Sequence, residues 1–143
     1  EEGDRTVVHA FTVPPHLPRA RVHFETGDAQ TFDAGGETFD AVLAANLLCR
    51  LPDPSAFLAR VPGWVRPGGQ LLLTTPCTWL EEYTPRAGWI GGTPAASTRD
   101  ALRAQLSGHF VLELETDLPF LIREHARKFQ WSIAWGTRWI RRG

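Results

Sequence analysis

Two short apolar runs constrain this chain more than any other feature: Phe39-Asp40-Ala41-Val42-Leu43-Ala44-Ala45 and Leu71-Leu72-Leu73-Thr74-Thr75. Each is strand-length and nearly free of polar residues, the pattern of a strand buried on both faces of a parallel sheet. Parallel neighbours need a long crossover, and the segment between the runs supplies one. Asp53-Pro54 reads as a helix start, with Asp as N-cap and Pro at the first helical position. Phe57, Leu58, Val61 and Val65 follow at helical spacing. Pro62 is expected to kink or interrupt that helix, and Gly68-Gly69 to end it.

The flanking segments extend the alternation. Pro14, Pro15 and Pro18 make the stretch around His16 extended or turn-like. Residues 21–25 alternate polar and apolar and predict a short strand, ended by Gly27-Asp28-Ala29. Residues 76–96 form a long irregular stretch rich in Trp, Gly and Pro, and loops of that length in a compact domain are usually functional. Ser97-Thr98-Arg99-Asp100 has the form of a capping box; Ala101, Leu102 and Leu106 fit a helix closed by Gly108. Residues 110–115 predict another strand. Phe129, Trp131, Ile133, Trp135 and Trp139 share one face at period two, predicting a long strand with that face buried. Too few residues join these last two strands for a parallel crossover, so they are expected to pair antiparallel. The fold class is therefore α/β, a mostly parallel sheet with an antiparallel C-terminal pair.

Composition narrows the function. With 43% apolar and 22% charged residues, the 143-residue chain is ordinary for one globular domain. A net charge of −1 argues against a dedicated nucleic-acid binder, and no apolar run is long enough to span a bilayer. Cys49 and Cys77 lie far apart, without a CxxC pair or zinc-spaced His, and read as free thiols of a cytoplasmic protein. The chain opens without Met or a signal peptide and reads as a piece of something longer. In open parallel sheets ligands bind beyond the carboxyl ends of the strands. Gly27-Asp28, Asn46 to Cys49 and residues 76–82 fall at such ends.

Three short motifs resemble class I methyltransferases: Gly27-Asp28-Ala29, Phe39-Asp40-Ala41-Val42 and Val65-Arg66-Pro67-Gly68-Gly69. Longer blocks resemble the C-terminal methyltransferase domain of the bifunctional ovothiol-biosynthesis family. They are Ala45-Asn46-Leu47-Leu48-Cys49-Arg50-Leu51-Pro52-Asp53-Pro54, Thr78-Trp79-Leu80-Glu81-Glu82-Tyr83-Thr84-Pro85, and the stretch from Pro119 to Trp131 that contains Arg123-Glu124-His125. The resemblance implies an incomplete Rossmann-like sheet, S-adenosylmethionine as cofactor, and methylation of an imidazole nitrogen of 4- or 5-mercaptohistidine. The family's Gly-rich first turn and its ribose-binding acid are not found before Gly27. Residues 1–143 are thus expected to be the C-terminal portion of one methyltransferase domain, binding cofactor poorly alone. An exposed apolar sheet edge or face is expected where the missing first strands belong, pairing the domain with itself, with the rest of a longer polypeptide or with a second chain.

Roles follow from the same resemblance. Asp28 is expected to accept from the adenine amino group, with Ala29 beside it, and Asn46 and Leu47 to pack around cofactor and substrate. Glu81, Glu82 and Tyr83 are the catalytic candidates, a loop carboxylate fixing the tautomer of the acceptor ring. Trp79, Arg123 and His125 are the substrate candidates, Arg123 through the carboxylate. The step calls for alignment of nucleophile and methyl rather than a strong base or a metal. Cys49 is expected to be an inert buried thiol, Trp131, Trp135 and Trp139 to be core, and Arg138, Arg141 and Arg142 to be a solvated edge. Two other readings stay open: a non-catalytic remnant of a methyltransferase, and a methyltransferase with another small acceptor.

Overall fold

A computed structural model describes residues 4, 6 and 8–143. Its regular elements are β1 (Phe39–Ala45), α1 (Pro54–Trp64), β2 (Val65–Thr75), α2 (Thr98–Leu106), β3 (Phe110–His125) and β4 (Lys128–Arg141), with short 3-10 turns at Leu48–Arg50 and Arg86–Gly88. The four strands form one sheet in the order β1-β2-β4-β3. β1 and β2 are parallel; β4 is antiparallel to both its neighbours.

Local chemistry sets the helix starts. The Asp53 carboxylate accepts the Ala56 N–H at 2.9 Å, with Pro54 at the first helical position. The Ser97 hydroxyl accepts the Asp100 N–H at 3.1 Å and donates to the Asp100 carboxylate at 2.6 Å, so the N-cap bond of the expected capping box forms while the acid meets the Ser97 hydroxyl. Both helices cover one face of the sheet. Leu71, Leu73, Trp135 and Trp139 from the strands meet Phe57, Leu58, Val61, Leu102 and Leu106 from the helices in a single core.

Several expectations need correction. Residues 21–25 form no strand, and Val22 and Phe24 are exposed. A strand needs a neighbour to take its backbone groups; the segment just after it is held to α1 instead. Gln30 exchanges hydrogen bonds with the Asp53 backbone, and Arg60 donates to the carbonyls of Ala29 and Phe32. β1 is not buried on both faces. It is an edge strand in which Ala44 alone is buried, while Leu43 points away from the helices and is 63% exposed. Gly68-Gly69 does not end α1, which stops at Trp64, two residues after Pro62. The pair lies inside β2, where the register with β1 shifts between Phe39 and Ala41. Gly68 has φ +74°, and a Cβ on Gly69 would stand 3.0 Å from the Asp40 carbonyl. Position 69 must therefore be glycine for the two strands to close up again.

The antiparallel pair is present but longer than expected, and it outruns the sheet. Arg123 and His125 stand in β3 itself, not in a connecting turn. The Trp131–Trp139 face is core only in part: Trp135 and Trp139 are buried, whereas Phe129, Trp131 and Ile133 are exposed because no helix reaches them. The C-terminal arginines are not a loose solvated edge. Arg141 donates to the carbonyls of Pro62 and His109, Arg142 to that of Ser107, and Arg138 pairs with Glu113 at 2.9 Å. Among the described residues no helix is long and apolar enough to cross a membrane.

Candidate functional site

The carboxyl ends of β1 and β2 lie side by side, and each is closed by a residue with left-handed backbone. Asn46 has φ 50° and Cys77 φ 56°. Asn tolerates this conformation better than most residues. It is fixed here by Thr74: the Asn46 N–H donates to the Thr74 carbonyl and hydroxyl, and that hydroxyl donates to the Asn46 amide oxygen. The turn after it buries Leu48 and Cys49, whose thiol donates to the Asn46 carbonyl at 3.7 Å. Burial pushes both thiols above their ordinary range, Arg50 opposing this for Cys49 and Arg99 for Cys77. Cys49 is thus buried, as expected.

Beside this end of β1 runs an open groove of about 420 Å³. One wall is Gly27, Asp28 and Ala29; the other is β1 from Ala41 to Leu43 together with Leu47; Phe32, Phe57 and Trp64 form an aromatic end. Phe32 and Phe57 each meet the Trp64 ring edge to face, at 5.3 and 5.5 Å. Asp28 makes its own turn by accepting the Gln30 N–H at 2.8 Å through Oδ1. A carboxylate has a second oxygen for a ligand's N–H. The Ala29 carbonyl is taken by Arg60 at 2.8 Å. The structure therefore brings Asp28, Ala29 and Leu47 onto one groove, with Asn46 fixing the strand end next to Leu47.

The loop candidates form a second group. Residues 80–84 turn on hydrogen bonds from Tyr83 and Thr84 N–H to the Leu80 carbonyl. The buried Thr84 hydroxyl donates to the Leu51 carbonyl at 2.7 Å, and the Arg50 guanidinium lies 4.1 Å over the Tyr83 ring. These two contacts seat the Glu81–Glu82–Tyr83 turn against the segment that follows Leu47. Glu81 faces Arg86 at 4.0 Å. A hydrogen bond to Glu82 and its charge push the Tyr83 phenol above its usual range, with Arg50 opposing. Tyr83 thus stays a hydrogen-bond donor at neutral pH. Arg50 lies within the Asn46–Pro54 block, but its contact with Tyr83 has no local sequence signal.

Trp79 is placed differently from the other loop candidates. It is buried, its indole N–H donates to the Thr98 hydroxyl at 3.0 Å, and Gly92 packs against its ring. Arg123 and His125 are not brought to the groove. Arg123 pairs with Phe129, six residues beyond the Trp135–Thr75 rung where β2 ends, a rise of ~20 Å along the strand. The His125 Nδ1 accepts the Arg127 N–H at 3.3 Å.

Residues 6–73 match the family described as a methyltransferase domain. The chain superposes on a S-adenosylmethionine-dependent methyltransferase from Methanosarcina mazei with TM-score 0.57 and 16% identity, covering 83% of this chain and 66% of that one. The fold is that of a class I methyltransferase. The N-methyltransferase NodS from Bradyrhizobium japonicum, in complex with S-adenosyl-L-homocysteine, shares it at TM-score 0.52 and 16% identity over 80% of this chain and 52% of its own. A ubiquinone biosynthesis O-methyltransferase from Dinoroseobacter shibae is 34% identical over 79 residues, 49% of this chain. The chain spans 32% of that relative's length. The groove runs along the free edge of β1 from Phe39 to Leu43 and passes the strand's carboxyl end only at Leu47.

Proposed function

We propose that residues 1–143 are the C-terminal part of a methyltransferase domain that uses S-adenosylmethionine and methylates a ring nitrogen of mercaptohistidine in ovothiol biosynthesis. The observation that carries the cofactor is the groove itself. It offers apolar walls for a purine and a carboxylate, Asp28, for the purine's exocyclic amine. These residues fit the adenine end. When bound, the cofactor supplies an electrophilic methyl on a sulfonium.

The chain's own residues would do the rest by placement. Asp28 accepts from the adenine amino group, Ala29 lies against the ring, and Leu47 packs at the junction of cofactor and acceptor. Asn46 holds that junction open through its bond to Thr74. A neutral imidazole already has a lone pair, so orientation matters more than a base. Glu81 or Glu82 accepts from the second ring nitrogen and fixes the tautomer, while Tyr83 donates. Trp79 supports the loop from below. Arg123 and His125 meet the amino-acid end of the acceptor. The acceptor itself rests on the resemblance of the three long sequence blocks.

The test is direct. The full polypeptide, given labelled S-adenosylmethionine and mercaptohistidine, should yield a product one methyl heavier, with the label on a ring nitrogen. A second reading, an oxygen acceptor, is favoured by the stretch shared with the ubiquinone biosynthesis O-methyltransferase. Phenolic acceptors therefore belong in the same assay. Turnover of a phenol with none of mercaptohistidine would replace the first reading by the second.

A further inference from the structure

The β3–β4 hairpin projects past the sheet on the side where the parallel strands end. β2 pairs with β4 from Gln70↔Ile140 to Thr75↔Trp135, whereas β3 pairs with β4 out to His125↔Lys128. Beyond Trp135 the hairpin is a bare two-stranded ribbon. Such ribbons are marginally stable in water without something packed on them.

On the face that continues from Trp135, the rungs are Asp117↔Trp135, Pro119↔Ile133, Leu121↔Trp131 and Arg123↔Phe129. Trp135 is 2% exposed, but Trp131 is 66% and Ile133 52%. The face therefore reads acid at its base, apolar in its middle and cation at its tip. That order is its own complement. A second ribbon turned end for end, about a two-fold axis level with Phe120, sets Leu121 against Pro119 and Arg123 against Asp117 at both ends.

We propose that this face is the interface of a homodimer, the tip Arg123 of each copy lying against Asp117 of the other. Asp117 already holds Arg99 at 2.8 Å through Oδ1, and a carboxylate accepts two guanidinium groups readily. The half-exposed apolar side chains offer on the order of 500 Å² per copy. The ion pairs and rim bring this towards the ~800 Å² per partner of a stable pair. A contiguous apolar patch of that size is as large as a typical monomer exposes, and such patches often mark interaction sites. Edge-to-edge pairing of β3 with β3 is opposed by Pro119, which lacks an N–H, so the copies meet by face.

In this dimer the tip of one copy arrives beside the carboxyl end of β2 in the other, where Thr75 pairs with Trp135. Arg123 and His125, remote from the groove of their own chain, then serve the acceptor of their neighbour. That last step rests on the methyl-transfer reading above; the interface itself does not.

Sedimentation velocity of the 143-residue chain across the micromolar range tests it. The chain should be a dimer, Trp131→Glu should weaken association roughly a hundredfold, and Arg123→Glu roughly tenfold. Leu43→Glu, on the opposite face of the sheet, should leave association unchanged. Circular dichroism checks each variant's fold; if Trp131→Glu does not fold, Arg123→Glu at the exposed tip decides. A monomer at all concentrations overturns the proposal. So does a dimer that survives both ribbon variants yet is lost in Leu43→Glu. No cofactor or acceptor is present, so failure here leaves methyl transfer standing, and an inactive but dimeric full polypeptide leaves the interface standing.

Discussion

The Thr74 hydroxyl accepts from the Asn46 backbone N–H and donates to the Asn46 side chain, both at 3.0 Å. One threonine thus holds both the left-handed backbone and the rotamer of the residue at the mouth of the groove. Asn46→Ala should cost ~1–3 kcal/mol, through loss of the amide acceptor and strain at positive φ. Asn46→Gly should cost less, since glycine carries no strain there. Urea denaturation of the two variants checks the order; equal losses would mean that the backbone at residue 46 is not held as described.

Trp79 offers a clean separation of structure from recognition. Its indole N–H is committed to Thr98 in a buried contact. Trp79→Phe removes the donor and leaves the Thr98 hydroxyl buried without it, which should cost ~1–3 kcal/mol. In the full polypeptide its KM for the acceptor should stay within about twofold at temperatures where the variant is folded, since a uniform binding contact would instead raise KM. A large rise in KM at unchanged stability would make Trp79 a substrate contact.

The outer clamp on α2 should be acid-labile. The Arg103 guanidinium, and after it the Trp135 indole N–H, hold the Glu115 carboxyl below its ordinary range. A carboxyl whose folded value is depressed stabilises fully above its unfolded value, near pH ~4.3 for Glu. That contribution is lost as pH falls through the folded value. Glu115→Gln should therefore be less stable than the parent at neutral pH but lose less further stability below pH ~4.3. Parallel stability curves for parent and variant in acid would count against the clamp.

The two thiols should be slow to react. Burial raises both above the ordinary range, and the thiolate is the nucleophile. Alkylation by iodoacetamide, followed by intact mass, should run more slowly than on free cysteine at pH ~8.5. It should still be accelerating where the free thiol has levelled off. A rate that plateaus below that pH would contradict the raised values.

Much of the fold is legible in the residues themselves. β1 begins and ends where its apolar run does, and α1 begins at Asp53-Pro54 because capping is decided within one turn of chain. The antiparallel pairing of β3 and β4 follows from the short connection alone. What periodicity does not carry is the neighbour. Residues 21–25 have a strand's alternation but no ladder to join, and Trp131 has the same period as Trp135 without the helix that buries it. Burial belongs to packing partners, and a one-dimensional pattern names none.

The site divides along the same line. Asp28, Ala29 and Leu47, each just past an apolar or alternating run, line one groove. The Arg50–Tyr83 stack and the Thr84–Leu51 hydrogen bond join segments thirty-odd residues apart, and no local signal announces them. Arg123 and His125 are misplaced by a reading that puts polar clusters in turns. Here the turn is Ala126-Arg127, and the polar residues continue the strand into it.

The strand order carries a consequence for how the chain assembles. The β3–β4 hairpin closes through a two-residue turn, so its loop-closure entropy is small and it is free to form early. β2 must find β1 across a helix on one side and β4 across nearly half the chain on the other. The centre of the sheet is thus its least local part. Pulse-labelled hydrogen exchange should find amides bonded between β3 and β4 near residues 110–118 and 134–141 protected before those of β2. Until β2 docks, the apolar faces of that early hairpin are open to any other nascent copy.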